Sequence, residues 1–168
     1  MAHFIAIDYK LCTGCKTCEA VCSLYHFGES NPSKSAIRVI RREKDGLPLS
    51  IPLVCQQCDA PKCIEVCPTQ AITRDDNKKG VIFNREECID CELCIEACPA
   101  HLVPVNFDQK VTTWCDLCDG QPQCVPACHG KCLTVVERGQ AHEKQNVEYL
   151  ADVLEKEKLW EYVNGRRK

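Results

Sequence analysis

The chain has 168 residues, 17 of them cysteine, with 45% hydrophobic and 27% charged residues and a formal net charge of −3. Cysteine at this level belongs to disulfide scaffolds or metal sites, while the remaining composition is that of a folded chain rather than a disordered one. Twenty-four acids against 21 Lys and Arg leave no basic excess to hold nucleic acid. No apolar run approaches the ~20 residues of a membrane span.

The N-terminus reads as a short strand, His3–Ile7. It lacks the basic leader and apolar core of a signal peptide, so the expected compartment is the cytoplasm, where thiols stay reduced. So many cysteines in a reducing compartment point to metal. They fall into four runs in chain order: Cys12, Cys15, Cys18, Cys22; Cys55, Cys58, Cys63, Cys67; Cys88, Cys91, Cys94, Cys98; and Cys115, Cys118, Cys124, Cys128, with Cys132 left over. Runs one and three are C-x2-C-x2-C-x3-C, run two is C-x2-C-x4-C-x3-C and run four C-x2-C-x5-C-x3-C.

Each run is a tight trio with a fourth cysteine one helical turn further on. Strand-like segments precede the runs (His3–Ile7, Leu49–Val54, Val81–Asn84, Val111–Trp114) and follow them (Ala36–Ile40, Ala71–Thr73, Leu102–Phe107, Leu133–Glu137). The repeated unit is strand, cysteine loop, short helix, strand, and four copies account for residues 1–138. Beyond them, helix formers from Glu143 to Tyr162 place Val147, Leu150, Ala151 and Leu154 on one face, with Trp160 and Val163 further on. This face is read as packing on the chain's own body, with docking onto a partner subunit as the alternative.

Three thiols crowded into one loop suit a [4Fe–4S] cubane, whose fourth ligand in the run C-x2-C-x2-C-x3-C-P comes from the other run of a pair. Structural zinc prefers two C-x2-C pairs separated by a longer loop, or Cys mixed with His. The expectation is therefore four [4Fe–4S] clusters, with a zinc-stabilised interaction scaffold as the rival. Runs two and three lie in a stretch the size of a small two-cluster ferredoxin. Runs one and four would then form the outer pair, closed by pairing the first strand with the strand after run four. This nested arrangement is preferred over the sequential pairing of one with two and three with four.

The stretches 12–22, 63–72, 88–99 and 115–124, with Pro68 and Pro99 after the fourth cysteines of runs two and three, resemble the four-cluster ferredoxin-like electron-transfer subunits of molybdenum or tungsten bispterin oxidoreductases, specifically their short soluble members. Similar subunits serve some hydrogenases and carbon monoxide dehydrogenases. The resemblance covers about residues 4–138. It implies an α+β, double bacterial-ferredoxin-like fold of four modules plus a C-terminal helix. An outer half would span 1–46 and 108–140, an inner half 47–107, and a helical tail 141–168. It also implies four ligand quartets: a first of Cys12, Cys15, Cys18 and Cys128; a second of Cys55, Cys58, Cys63 and Cys98; a third of Cys88, Cys91, Cys94 and Cys67; and a fourth of Cys115, Cys118, Cys124 and Cys22.

The sequence departs from the family pattern at His129, which follows Cys128 where proline is usual. Cys132 sits close by and could substitute for Cys128, although it is read as a small buried hydrophobe and not a ligand. Lone His26 and His101 are read as structural or surface groups. Lys34, Arg38, Arg41, Arg42 and Lys44 form a solvated edge or, alternatively, a docking patch for an acidic partner. There is no dinucleotide fingerprint, P-loop, haem-attachment motif or catalytic constellation.

The expected role is an electron-transfer subunit of an oxidoreductase complex, not an enzyme on its own. It would stand between a catalytic subunit and a second redox protein or flavin subunit. The best-matched catalytic partner is a tungsten or molybdenum pterin enzyme of anaerobic metabolism, of the aldehyde oxidoreductase or formate dehydrogenase kind. A hydrogenase or carbon monoxide dehydrogenase is the alternative.

Overall fold

Left-handed backbone is needed at both residues of a two-residue type I′ turn, and Asp45 (φ 53°) and Gly46 (φ 76°) adopt it between β2 (Arg38–Lys44) and β3 (Leu47–Leu53). That hairpin is one of three two-stranded antiparallel sheets in the computed structural model, which describes residues 3–75, 80–105, 110–111, 113–137 and 147–159. A second sheet joins β4 (Ile72–Asp75) to β5 (Gly80–Phe83). The third joins the two ends of the cysteine-bearing region: β1 (His3–Ile7) pairs with β6 (Leu133–Glu137), from His3 opposite Glu137 to Ile7 opposite Leu133. The Asp8 N–H continues this ladder by donating to the Cys132 carbonyl at 2.9 Å.

Four helices complete the described elements: α1 (Thr17–Phe27), α2 (Lys62–Glu65), α3 (Leu93–Ala97) and α4 (Val147–Lys156). The first three begin inside a cysteine run, as the run grammar predicts. The helix α1 runs on past Cys22 for more than a turn until Gly28, at φ 70°, closes it by donating its N–H to the Leu24 carbonyl. Run four differs, with a 3-10 turn at Leu117–Gly120 and hydrogen-bonded turns around Cys124–Cys128 in place of a helix.

Two expected strands are not ladders. Among the described residues of Leu102–Phe107 and Val111–Trp114 there is no strand. Pro104 cannot donate a ladder bond, and Val103, Val111 and Trp114 are instead buried together in a core. Burial, not sheet pairing, produced the apolar pattern. The strand expected at Ala36–Ile40 starts later, at Arg38, because the Ala36 N–H is turned to the Cys22 sulfur, 3.4 Å away, and Ser35 Oγ bonds the Ile37 carbonyl.

The described residues form two cores. The larger gathers Ile5, Ile7, Ile37, Ile51, Leu53 and Leu102, together with Leu150, Leu154 and Leu159 from the α4 end of the chain. The smaller contains Ile72, Val81, Ile95, Val103, Val111 and Trp114. Helix α4 therefore spends its apolar face on the chain's own body, while Trp160 and Val163 lie outside the described residues. No helix among the described residues is long and apolar enough to cross a membrane.

Along the basic stretch 34–44, Arg41 and Lys44 are exposed, as a solvated edge requires, and several of its cations are also engaged within the molecule. Arg42 Nη1 donates to the carbonyls of Glu157 (3.0 Å) and Lys158 (3.2 Å), capping the C-terminal end of α4 where cations are favoured. Lys44 pairs with Glu157, and Lys34 with Glu29. Arg38 and Arg41 reach the cysteine loops described below. Helix α4 is thus fastened by an apolar face and a charged clip. Replacing Leu154, at 0% exposure, by Ala should lower the unfolding free energy by about 2–5 kcal/mol. An unchanged urea midpoint for the variant purified without oxygen would show that α4 is not part of the folded core.

Candidate metal centres

In every run the residue just before the second cysteine is left-handed: Gly14 (φ 68°), Gln57 (51°), Asp90 (54°) and Leu117 (60°). An αL residue reverses the local chain direction, so the flanking cysteines face a common centre instead of opposite sides. At Gly14 space also demands glycine, since a Cβ would lie 2.4 Å from Ser50 Oγ. A second repeat follows the fourth cysteine of runs two, three and four. Gln70 (φ 55°), His101 (47°) and Lys131 (50°) each donate their N–H back to the carbonyl of that cysteine, at 3.3, 3.0 and 3.1 Å.

These turns aim backbone N–H groups at sulfur. Gly14 N–H donates to Cys12 Sγ (3.4 Å), Ala36 N–H to Cys22 Sγ (3.4 Å) and Leu102 N–H to Cys98 Sγ (3.3 Å). The loops themselves are held from outside. Arg41 bonds the Gly14 carbonyl, Arg74 the Cys58 carbonyl, Arg85 the Cys88 carbonyl and the Asp90 carboxylate, and Arg38 the His101 carbonyl.

Three cavities are each lined by four cysteines. Cys55, Cys58, Cys63 and Cys98 surround one. Cys67, Cys88, Cys91 and Cys94 surround a second. Cys22, Cys115, Cys118 and Cys124 surround the third. These sets coincide with the second, third and fourth quartets. Of the first quartet, Cys12 acts on Cys15 and both act on Cys18 through like charge, which places the three sulfurs near one another. Cys128 comes near Cys12 through Cys132, whose sulfur is 3.4 Å from that of Cys128 and whose thiol is the main influence lowering the Cys12 thiol.

The quartets fit a sulfur-bound polynuclear group better than a single ion. Among the described residues no three cysteine sulfurs lie within 4.8 Å of one another. Tetrahedral zinc, with Zn–S near 2.3 Å, needs four sulfurs roughly 4 Å apart. Around the second quartet the lining is mainly apolar apart from the thiols and Gln56, with Val81, Leu102, Val103 and Trp114. The Trp114 indole N–H is buried without an oxygen or nitrogen acceptor and lies against the Cys55 thiol, whose ionisation it favours.

Burial dominates the electrostatics of the inner thiols. It pushes Cys18, Cys55, Cys63, Cys94 and Cys124 up to about 12, and Cys115 well above its ordinary value. These thiols keep their protons until a metal displaces them. At Cys22 burial acts in the same upward direction, but hydrogen bonds from His26 and the Ala36 N–H outweigh it and lower the thiol. Neighbouring quartets also sense each other: Cys94 raises Cys63, Cys55 raises Cys115, and Cys18 raises Cys124.

Sequence reading missed several residues of these sites. His26, read as a structural or surface group, stands with Cys118 and Asp116 in one close group and lies beside both Cys118 (3.9 Å) and Cys22. The available signal was its place four residues after Cys22 on the same helix face. Gln57, at 1% exposure, accepts the Val81 N–H at 2.6 Å and donates to the Cys115 carbonyl, joining the ligand loops of runs two and four. Beside it, Gln56 donates to the Ile5 carbonyl at 3.2 Å. No local pattern marks either contact.

Comparison with known proteins places residues 47–138 on the model of the 4Fe-4S dicluster domain, and residues 9–25 on that of a 4Fe-4S binding domain. The polyferredoxin-like subunit of aliphatic sulfonate oxidoreductase from Pyrococcus furiosus is 37% identical over 75% of this chain and 71% of its own. Electron transport protein HydN of Escherichia coli is 31% identical over 85% of this chain and 93% of its own. Formate hydrogenlyase subunit 2 of Escherichia coli is 34% identical over 82% and 83%.

The backbone flanking run four passes close to that flanking run one at Gly130, where a Cβ would lie 2.3 Å from the Leu11 carbonyl oxygen. Gly130→Ala should therefore push the Cys128–Cys132 turn away from Cys12 and lower the iron bound per chain by up to one cluster. Gly28→Ala meets nothing within 4 Å and should cost only the left-handed strain, about 1–2 kcal/mol. Iron assays on the two purified variants separate them; equal iron in both would show that the Gly130 contact does not hold the runs together.

Proposed function

The chain belongs to the 4Fe-4S dicluster domain family, and on that premise we propose that it is an iron–sulfur electron-transfer subunit of an oxidoreductase complex. It holds four [4Fe–4S] clusters in the nested quartets given above, in a double ferredoxin-like fold whose outer half spans 1–46 and 108–140 and whose inner half spans 47–107. The observation that carries this reading is that three separate cavities are each lined by one complete quartet drawn from two different runs. The β1–β6 pairing, which brings run one to run four, supports the nested arrangement.

Each bound cluster supplies a one-electron couple. The chain's own residues bury the sulfurs, direct N–H groups at them and keep water from the two middle sites. Those are the levers by which a protein sets cluster potentials. The mutual effects of Cys94 on Cys63, Cys55 on Cys115 and Cys18 on Cys124 support a single row, in the order third, second, fourth, first quartet. The exposed cysteines, Cys91 and Cys15, then fall at its two ends, where electrons must enter and leave.

The likeness to subunits of oxidoreductase complexes supports a catalytic partner for this chain. A catalytic subunit stands at one end, best matched to a tungsten or molybdenum pterin enzyme of anaerobic metabolism in the cytoplasm. A second redox protein or flavin subunit stands at the other. A hydrogenase or carbon monoxide dehydrogenase is the second reading, favoured by the likeness to a formate hydrogenlyase subunit. No catalytic residue is assigned to this chain.

The test is metal analysis of the native complex, purified without oxygen through a tag on this chain. About sixteen iron atoms per chain, four for each cluster, with tungsten or molybdenum co-eluting, is the expected result. Nickel in their place would move the partner to the hydrogenase or carbon monoxide dehydrogenase class, and zinc without iron would defeat the proposal. Cys91→Ser should convert or remove one inner cluster and leave the other three. Unaltered EPR signals from all four would sink the ligand assignment.

A further inference from the structure

The residue four places after the fourth cysteine of each run occupies an equivalent position. In the inner runs it is Ala71 or Leu102, both buried and unable to bind metal. In the outer runs it is His26 or Cys132, and both touch sulfurs of the quartets. Cys132 is the stronger case. It is 3% exposed, its sulfur is in van der Waals contact with that of Cys128 at 3.4 Å, and it is also in contact with Cys12. Its backbone is fixed, with its carbonyl accepting from Asp8 N–H at 2.9 Å and Leu133 beginning β6 directly after it. Cys128, by contrast, is only partly buried and is followed by His129, Gly130 and the left-handed Lys131.

We infer that the first quartet is a five-thiol site, in which Cys132 stands beside Cys128 and can take the same coordination position. This deepens the four-cluster reading and rests on it. Because the two sulfurs are one atomic diameter apart, exchange needs a side-chain rotation and no rearrangement of β6. In the exchange Cys132 gives its thiol proton to the Cys128 sulfur as it becomes the iron ligand, and Cys128 leaves as the thiol. No electron changes hands. The other three quartets hold no fifth cysteine among the residues lining their cavities. The site at one end of the row, which carries the exposed Cys15, is therefore the one provided with a reserve ligand.

The experiment compares iron and acid-labile sulfide per chain, with EPR of the reduced protein, across variants purified in the native complex without oxygen. Cys132→Ala should keep the parent iron content. Cys128→Ala should also keep it, with the signal of one cluster altered, and the double variant should lose roughly a quarter of the iron, one cluster of four. If Cys128→Ala alone falls to the level of the double variant, the shared position does not exist. Should Cys128→Ala not yield folded complex, Cys128→Ser keeps the volume, and loss of one cluster there with Cys132 intact overturns the inference equally. Cys15→Ala serves as the internal reference. If it retains full iron, the quartet itself is wrong, which is a different failure from that of the reserve thiol.

Discussion

Everything in this molecule depends on making cysteines that are neighbours in sequence face the same point. An extended backbone sends successive side chains to opposite sides, and a helix groups only residues three or four apart. The chain meets the constraint four times with one left-handed residue before the second cysteine, at Gly14, Gln57, Asp90 and Leu117. Only the first is glycine, so three positions carry about 1–2 kcal/mol each of backbone strain. The compensation is visible at each loop. Arg85 grips Asp90 with a two-pronged ion pair (2.8 and 2.7 Å), the Gln57 side chain both donates and accepts a hydrogen bond, and Leu117 is buried. Arginines on the loop carbonyls add a further brace and place positive charge beside groups of thiolates.

That arrangement explains which parts were readable in the sequence. Spacing alone located the four loops, because the chemistry forbids much variation in where the thiols stand. The end strands His3–Ile7 and Leu133–Glu137 were readable with their boundaries, since each is a short β-branched or apolar run outside any cysteine loop. The segments Leu102–Phe107 and Val111–Trp114 misled because burial between metal loops selects the same residues as a strand does. The length of α1 was missed for a related reason: run grammar predicts only the turn from Cys18 to Cys22, and the helix ends at its glycine stop.

The long-range polar contacts were not readable at all. Arg38, Arg41 and Arg42 look like a charged edge in one dimension, yet they bind backbone carbonyls up to 116 residues away. A guanidinium carries donors enough to satisfy loop carbonyls that no helix or sheet covers. In a chain this short, with much of its interior given over to sulfur, such bonds replace part of the apolar core that a larger domain would have. His26 was missed by the same logic, since it was weighed as an isolated residue and only the fold sets it against a quartet, whereas the place of Cys132 beside Cys128 was already legible in the sequence.

The junction between runs two and four shows how the fold and the proposed row constrain each other. Cys55 raises the Cys115 thiol, and the Gln57 amide of run two donates to the Cys115 carbonyl of run four. A purely apolar junction would leave the Cys115 carbonyl and the Val81 N–H without partners in the dry interior, a cost of about 1–3 kcal/mol for each buried group. A charged junction would add a field between two neighbouring sites of the proposed row. A neutral amide with one donor bond and one acceptor bond satisfies both groups and fixes the spacing without biasing either side. The glutamine therefore performs at the centre of the molecule what the β1–β6 sheet performs at its ends: it holds cysteines from distant runs in a single register.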